Sequence, residues 1–366
     1  MNATRSKATR QLNEAGQSLW LDNITRDMLT GGVLKRYIDE LAVTGLTSNP
    51  SIFNAAIKNS PSYDRDIRAK RGQGKEGEAL FFELAIDDIR AAADLFRPIH
   101  ERTAGADGWV SLEVSPVLAR DTAATLAMAR DLHARCARDN VLIKIPGTPE
   151  GLPAIEEAIF AGIPINITLL FSCDQYVAAA DAYVRGIERR IAAGLNPDIG
   201  SVASLFISRW DAAVAAKLAP ALQNQLGIAV GQQCYAAYRD MLASQRWQRT
   251  LNFGARPQRL LFASTGTKDP KASDVLYIDA FAAPLTVNTM PEPTLKAYAE
   301  HGSEVKVIAA DGGDWRAALE RIHGAGVDLD QLALKLQNDG ADSFVKSWTE
   351  LLGVIQTKGA VLEKAH

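Results

Sequence analysis

The sequence is poor in cysteine and histidine and carries no excess of charge of either sign. Its three cysteines, Cys136, Cys173 and Cys234, are odd in number and widely spaced. Neither a disulfide framework nor a zinc site is expected from such spacing. The five histidines fall on expected helices and loops, and no metal or organic cofactor is expected. Forty basic residues against 43 acidic ones leave a net charge of −3, with a pI near 6.0. That balance excludes the broad positive field that holds nucleic acid, although a local cationic pocket for a small phosphate is compatible with it. No apolar run reaches the roughly 18 residues that a membrane helix needs. The opening MNATRSKATRQLNEAGQS has no apolar signal core. These absences lead to the expectation of a protein of the reducing cytoplasm.

What is present is a regular alternation. With 47% hydrophobic and 23% charged residues, the chain has the composition of a globular protein with a sizeable core. Short apolar runs at 19–21, 43–46, 109–114, 141–145, 164–167, 202–207, 259–263 and 285–287 read as strands. Between them lie Ala-rich stretches with helical periodicity, such as TAATLAMARDLHARCA from Thr122 and CDQYVAAADAYVRGIERRIAAG from Cys173. Strand–helix alternation implies parallel pairing, and eight repeats suit a closed α/β (β/α)8 TIM barrel better than an open sheet. No composition break divides the chain, so one domain over 1–366 is expected. It carries a helical insertion at about 50–104, around the polar RGQGKEGE, and C-terminal helices at about 314–366.

Residues 141–149, VLIKIPGTP, place one lysine inside an apolar strand. Alternation puts Val141, Ile143 and Ile145 on one face, and Leu142 and Lys144 on the other. In a barrel the chemistry sits where strands end, and other polar groups gather at those ends: Asp22, Asn49, Glu113, Asn166, Thr168, Ser208, Arg209 and the STGTK stretch of Ser264, Thr265 and Lys268. Any one of them suits a helix cap or a solvated loop. Their convergence on one mouth suits catalysis. An amine in an apolar barrel beside carboxylates fits Schiff-base chemistry, with Lys144 as nucleophile and Asp22 and Glu113 as acid/base partners. The alternative for Lys144 is a salt bridge to Glu113 or Asp22 that serves only the fold.

The ordered set LWLDNI, GLTSNPSIF, VSLEVSP, VLIKIPGTPEG, INITLLFS and ASTGTKDP…PLTVNTMP, spread over about 18–293, resembles the transaldolases. The lysine falls on the fourth strand, as it does in that family. The resemblance implies transfer of a dihydroxyacetone unit from sedoheptulose 7-phosphate to glyceraldehyde 3-phosphate, in the non-oxidative pentose phosphate pathway, with sugar phosphates as the partners. It implies Lys144 as the Schiff-base lysine and Asp22 as the acid/base of C–C cleavage. Glu113 and Thr168 become the pair that handles a catalytic water. Asn49, Asn166 and Ser208 become hydrogen-bonding groups for the three-carbon unit.

The phosphate end departs from the shorter members, which carry an arginine several residues past the strand-six serine and another after strand seven. Here ISRWD puts Arg209 directly after Ser208, and STGTKDP holds no arginine. That pattern resembles the longer bacterial transaldolases, including the barrel half of transaldolase–glucose-6-phosphate isomerase fusions. The phosphate groups expected are therefore Arg209 with Lys268 or the hydroxyls and amides of Ser264 and Thr265. Two other functions are weighed: a fructose-6-phosphate aldolase that releases free dihydroxyacetone, and a scaffold barrel without activity. The first is usually a shorter chain, and the second would have lost Lys144 or its carboxylates. Whether the extra helices gate the site, cover the barrel or form a homo-oligomer contact is not set by periodicity.

Overall fold

The computed structural model describes residues 7–364. The first six residues, and the last two of the expected C-terminal helical stretch, lie outside the described residues. Eight parallel strands close into a barrel in sequence order. They are β1 (Ser18–Asp22), β2 (Val43–Thr47), β3 (Val110–Glu113), β4 (Val141–Pro146), β5 (Ile165–Leu170), β6 (Ser201–Phe206), β7 (Arg259–Ala263) and β8 (Val287–Met290). Every residue of β4, β5 and β6 is buried, as expected where helices cover the outside of a parallel sheet and side chains fill the inside.

Seven expected strands are found with small shifts at their ends. The eighth is displaced. An expected strand at 285–287 is replaced by Val287–Met290, because Leu285 sits in a left-handed turn at φ 64° and is exposed. The apolar Leu285 drew the expected strand toward the turn, whereas the real strand carries Asn288 and Thr289, both buried.

One close contact fixes β1 against β2. Trp20 of β1 pairs in register with Gly45 of β2, and a Cβ on Gly45 would lie 2.5 Å from the indole ring. Only glycine leaves room there. The indole Nε1 donates to Asp107 at 2.8 Å, while the Ser18 hydroxyl donates to the other carboxylate oxygen.

Outside the barrel, the segment after β2 forms helices Pro50–Asn59 and Asp64–Arg71, then the 26-residue Gly77–Arg102. The polar RGQGKEGE bridges the last two. Asn49 caps the first of these helices, and Pro50 occupies its opening turn. The C-terminal part forms Trp315–Gly324 and a 36-residue helix, Leu329–Lys364. This last helix packs against the three helices that follow β2. Trp348 meets Phe81 edge-on at 4.9 Å. Gln337 Nε2 donates to the carbonyl oxygens of Gly147, at 3.1 Å, and Leu169, at 3.0 Å. The helix is thereby fixed to the loop after β4 and to the end of β5.

Candidate active site

At the C-terminal ends of the strands lies a cavity of about 230 Å³, lined among others by Asp22, Thr47, Asn49, Lys144, Thr168, Arg209, Ser264, Lys268 and Phe344. Lys144 points inward and is buried, and the apolar neighbours Ile143 and Ile145 are buried too. Its Nζ stands 3.2 Å from Glu113 Oε2 and donates to the carbonyl oxygen of Ser48 at 3.2 Å. The Phe344 ring lies 5.6 Å away. β3 and β4 bring this pair together directly, since Glu113 and Lys144 are register partners.

Burial raises the Glu113 carboxyl above the usual carboxylate range, against the lowering pull of the Lys144 charge. Its Oε1 is buried without a hydrogen-bond partner among the described residues, as is Thr168 Oγ1. Buried polar atoms left without partners are uncommon and call for an explanation. Asp22 is the second carboxylate at the mouth. It accepts from Thr47 Oγ1 at 2.7 Å, and its carboxyl is also raised, by burial, with Lys144, the Thr47 hydrogen bond and Lys268 pulling the other way.

The backbone is strained where β5 reaches the cavity. Its pairing with β6 is irregular between Ile167 and Leu170, and Leu169 adopts φ 60° directly after Thr168. Ser264, just past β7, adopts φ 55°. Non-glycine residues in this region cost on the order of 1–3 kcal/mol each, and such strain tends to gather at functional sites.

The remaining expected site residues divide. Arg209 lines the cavity with its guanidinium 5.0 Å from the Phe206 ring centre and 5.9 Å from that of Phe344. Burial lowers its pKa. It does not pair with Asp211, which instead accepts from the amides of Leu226 and Gly227 and from the Tyr277 hydroxyl. Lys268 reaches the same cavity from an exposed loop. Asn49 lines it as well, although its Oδ1 is engaged as the helix cap for Ile52 N and by the Ser51 hydroxyl.

Asn166, Ser208 and Thr265 are not part of the wall. Asn166 is held one layer deeper, donating to Ser111 Oγ at 3.0 Å and accepting from Ser204 Oγ at 2.7 Å. Ser208 is fully buried and shares a 3.0 Å hydrogen bond with the Ser264 hydroxyl. Thr265 donates to the carbonyl oxygen of Thr289 at 2.9 Å, which occupies its hydroxyl proton. Sequence reading passed over Thr47, Ser204, Thr289 and Phe344. The first three sit on the inward face of β2, β6 and β8, and the strand-end criterion used for Asp22 reaches Thr47 and Thr289. Phe344 lies on a helix far along the chain with no motif to mark it.

A larger cavity, of about 470 Å³, lies at the opposite end of the barrel. Its cations are spent on the fold: Arg259 bonds Ala106 O, Thr286 O and Ser18 Oγ, and Arg256 pairs with Asp198. Lys144 and Asp22 line the smaller cavity, and Glu113 pairs with Lys144 there at 3.2 Å without itself forming part of the wall.

A barrel with a buried lysine on β4, paired to a carboxylate on β3, has relatives. Residues 19–355 match the model of the family described as Transaldolase/Fructose-6-phosphate aldolase. The chain belongs to that family. A protein named Transaldolase from Arthrobacter sp. (strain FB24) is 42% identical over 366 residues, covering 98% of this chain and 99% of that protein. One of the same name from Thermobifida fusca is 44% identical, covering 94% and 96% respectively. A third, from Thiobacillus denitrificans, is 43% identical, covering 95% and 99%. A Schiff-base mechanism is characteristic of that family. No helix among the described residues is long and apolar enough to cross a membrane.

Proposed function

We infer that this protein is a transaldolase. It moves a dihydroxyacetone unit from sedoheptulose 7-phosphate to glyceraldehyde 3-phosphate, through a Schiff base on Lys144, in the non-oxidative pentose phosphate pathway. The observation that carries the assignment of the nucleophile is the buried Lys144–Glu113 pair, 3.2 Å apart, at the mouth of the barrel. A neutral amine is needed for attack on the ketone. Glu113, whose burial favours the protonated carboxyl, is placed to take the proton. Attack of Nζ on the carbonyl carbon gives a carbinolamine. Protonation and loss of its hydroxyl as water then leave an iminium. In this reading Glu113 Oε1 and Thr168 Oγ1, both without protein partners, handle that water and its protons.

Asp22 takes the proton from the C4 hydroxyl as the C3–C4 bond breaks. The bond's electron pair passes into the iminium, giving an enamine, and the aldose phosphate leaves. In the second half-reaction the enamine carbon attacks the acceptor aldehyde, whose oxygen takes the proton back from Asp22. Water then adds to the product iminium and the C–N bond breaks, freeing the ketose phosphate and restoring the Lys144 amine. Asn49 holds the bound three-carbon unit at the wall, and Asn166 and Ser208 act on it from the layer behind. Arg209 and Lys268 receive the phosphate, aided by Ser264.

The sugar phosphates are the partners in this reading. The near-neutral charge balance argues against nucleic acid, and the pentose phosphate reading places the protein in the cytoplasm. The long C-terminal helix works with the barrel as one domain, since its Gln337 and Phe344 reach the loops and wall of the site.

The aldolase reading shares the Schiff base and differs in the fate of the enamine. Incubation with fructose 6-phosphate, with and without erythrose 4-phosphate, separates the two. Sedoheptulose 7-phosphate forms only with the acceptor present, and free dihydroxyacetone accumulates slowly in its absence. Steady release without acceptor, at a rate comparable to transfer, would establish the aldolase instead.

A further inference from the structure

The helix Leu329–Lys364 turns one face to the barrel. Gln337, Gly340, Phe344 and Trp348 recur at spacings of three and four, which aligns them along one side. Gln337 bonds the carbonyls of Gly147 and Leu169, in the two segments that immediately follow Lys144 and Thr168. At Gly340 the backbone lies so close that a Cβ would sit 3.0 Å from Leu169 Cδ2 and 3.3 Å from Arg209 Nη1. One turn on, the Phe344 ring enters the cavity wall. Its centre is 5.6 Å from Lys144 Nζ and 5.9 Å from Arg209 Cζ, distances at which an aromatic face attracts a cation. The ring also lies 6.5 Å from that of Phe206. One apolar side chain, only 7% exposed, therefore lies within 6 Å of both the reacting amine and the guanidinium.

We propose that Phe344 is the positioning residue that sets the partition of the enamine between transfer and release, by keeping water from the bound three-carbon unit. The inference rests on the transaldolase reading and adds a residue to it. Release requires one event that transfer does not: the enamine carbon takes a proton from solvent. In transfer that carbon instead bonds the aldehyde carbon, and the aldehyde oxygen takes the proton already on Asp22. Both routes then end alike, with water adding to the iminium carbon and the C–N bond breaking as the carbonyl forms, which restores the Lys144 amine. The distinguishing event needs a solvent proton at the face that Phe344 covers. An apolar wall at that place slows the first route and leaves the second open. Because Gln337 ties the helix to the ends of β4 and β5, the ring is held at a fixed height over the amine.

The test compares the native protein with Phe344→Leu, Phe344→Gln and Phe344→Ala, supplied with fructose 6-phosphate and erythrose 4-phosphate. The readout is the ratio of dihydroxyacetone released to sedoheptulose 7-phosphate formed, with incorporation of solvent deuterium into the released dihydroxyacetone. Gln keeps the length but brings a polar amide, and Ala removes the bulk. Each is expected to raise the ratio about tenfold, the effect of roughly 1.4 kcal/mol between two competing barriers. Leu, which keeps apolar bulk, is expected to hold the ratio near the native one. Release and transfer falling together in Gln and Ala, at a native ratio, would show that Phe344 only packs the helix. A Leu variant that leaks as much as Ala would also overturn the proposal. Borohydride trapping of the native protein separates the two readings: a native protein that traps no ketose fails as a Schiff-base enzyme. One that traps, while its variants partition like native, fails only this inference.

Discussion

Replacing Arg209 with leucine is expected to weaken phosphorylated acceptors selectively while leaving the fold intact or firmer. The guanidinium makes no hydrogen bond or ion pair with any described residue, although it is half-buried between Phe206 and Phe344. Its donors are therefore free for a ligand, and burial works against its charge, lowering its pKa. One charge-assisted hydrogen bond is worth about 1.5–3 kcal/mol, which corresponds to roughly 10- to 150-fold in affinity. Lys268, exposed and on a flexible stem, contributes less. The assay is kcat/KM for erythrose 4-phosphate against unphosphorylated erythrose, with melting temperatures measured with and without inorganic phosphate. Arg209→Leu should reduce the preference for the phosphorylated acceptor by about 10- to 150-fold, mainly through KM. It should also lose the stabilisation by phosphate and melt no lower than native in its absence. Equal loss on both acceptors, or a much less stable apo variant, would make Arg209 a structural residue and not a phosphate ligand.

Four further outcomes follow from the geometry. Asp22→Asn should cut turnover by about 10²–10⁴-fold and let the Schiff base accumulate, whereas Glu113→Gln should slow its formation; equal borohydride trapping rates in the two would contradict the division of labour. Burial raises both carboxyls, so the acid limb of kcat/KM should lie above the ordinary carboxylate range. The same shift makes ionisation of Asp22 costlier in the folded state. Stability should therefore decline as pH rises from its ordinary value of 3.8 through its raised one, and Asp22→Asn should flatten that decline in urea titrations across pH. Gly45→Ala would drive a Cβ to 2.5 Å from the Trp20 indole and should cost about 1–3 kcal/mol, read from the urea midpoint; an unchanged midpoint would mean that the ring has room to move.

The barrel is legible in the sequence because a strand covered on both faces must be apolar over most of its length, and β4 to β6 are. Strand β8 is harder to read, since Asn288 and Thr289 break the apolar run and Leu285 lends a false one to the turn before it. Lys144, Asp22 and Glu113 stand out for a related reason: a charge at the end of an apolar strand must be paired or put to use inside a barrel. The hydroxyl and amide groups carry no such signal. Asn49 satisfies a helix cap, and Thr265 satisfies a backbone carbonyl, although both sit in stretches that resemble the family's motifs. Phe344 reaches the cavity only through the path of the last helix, which tertiary packing on Phe81 and bonds from Gln337 determine. Local pattern records that such a helix exists and is silent on what it covers.

Every step assigned to the site depends on Lys144 forming the covalent link to substrate. That link can be read by borohydride reduction in the presence of fructose 6-phosphate, followed by peptide mass spectrometry. A single reduced adduct is expected within residues 141–149, on Lys144, and none in a folded Lys144→Ala variant. An adduct on another lysine, or one that persists in Lys144→Ala, would contradict it.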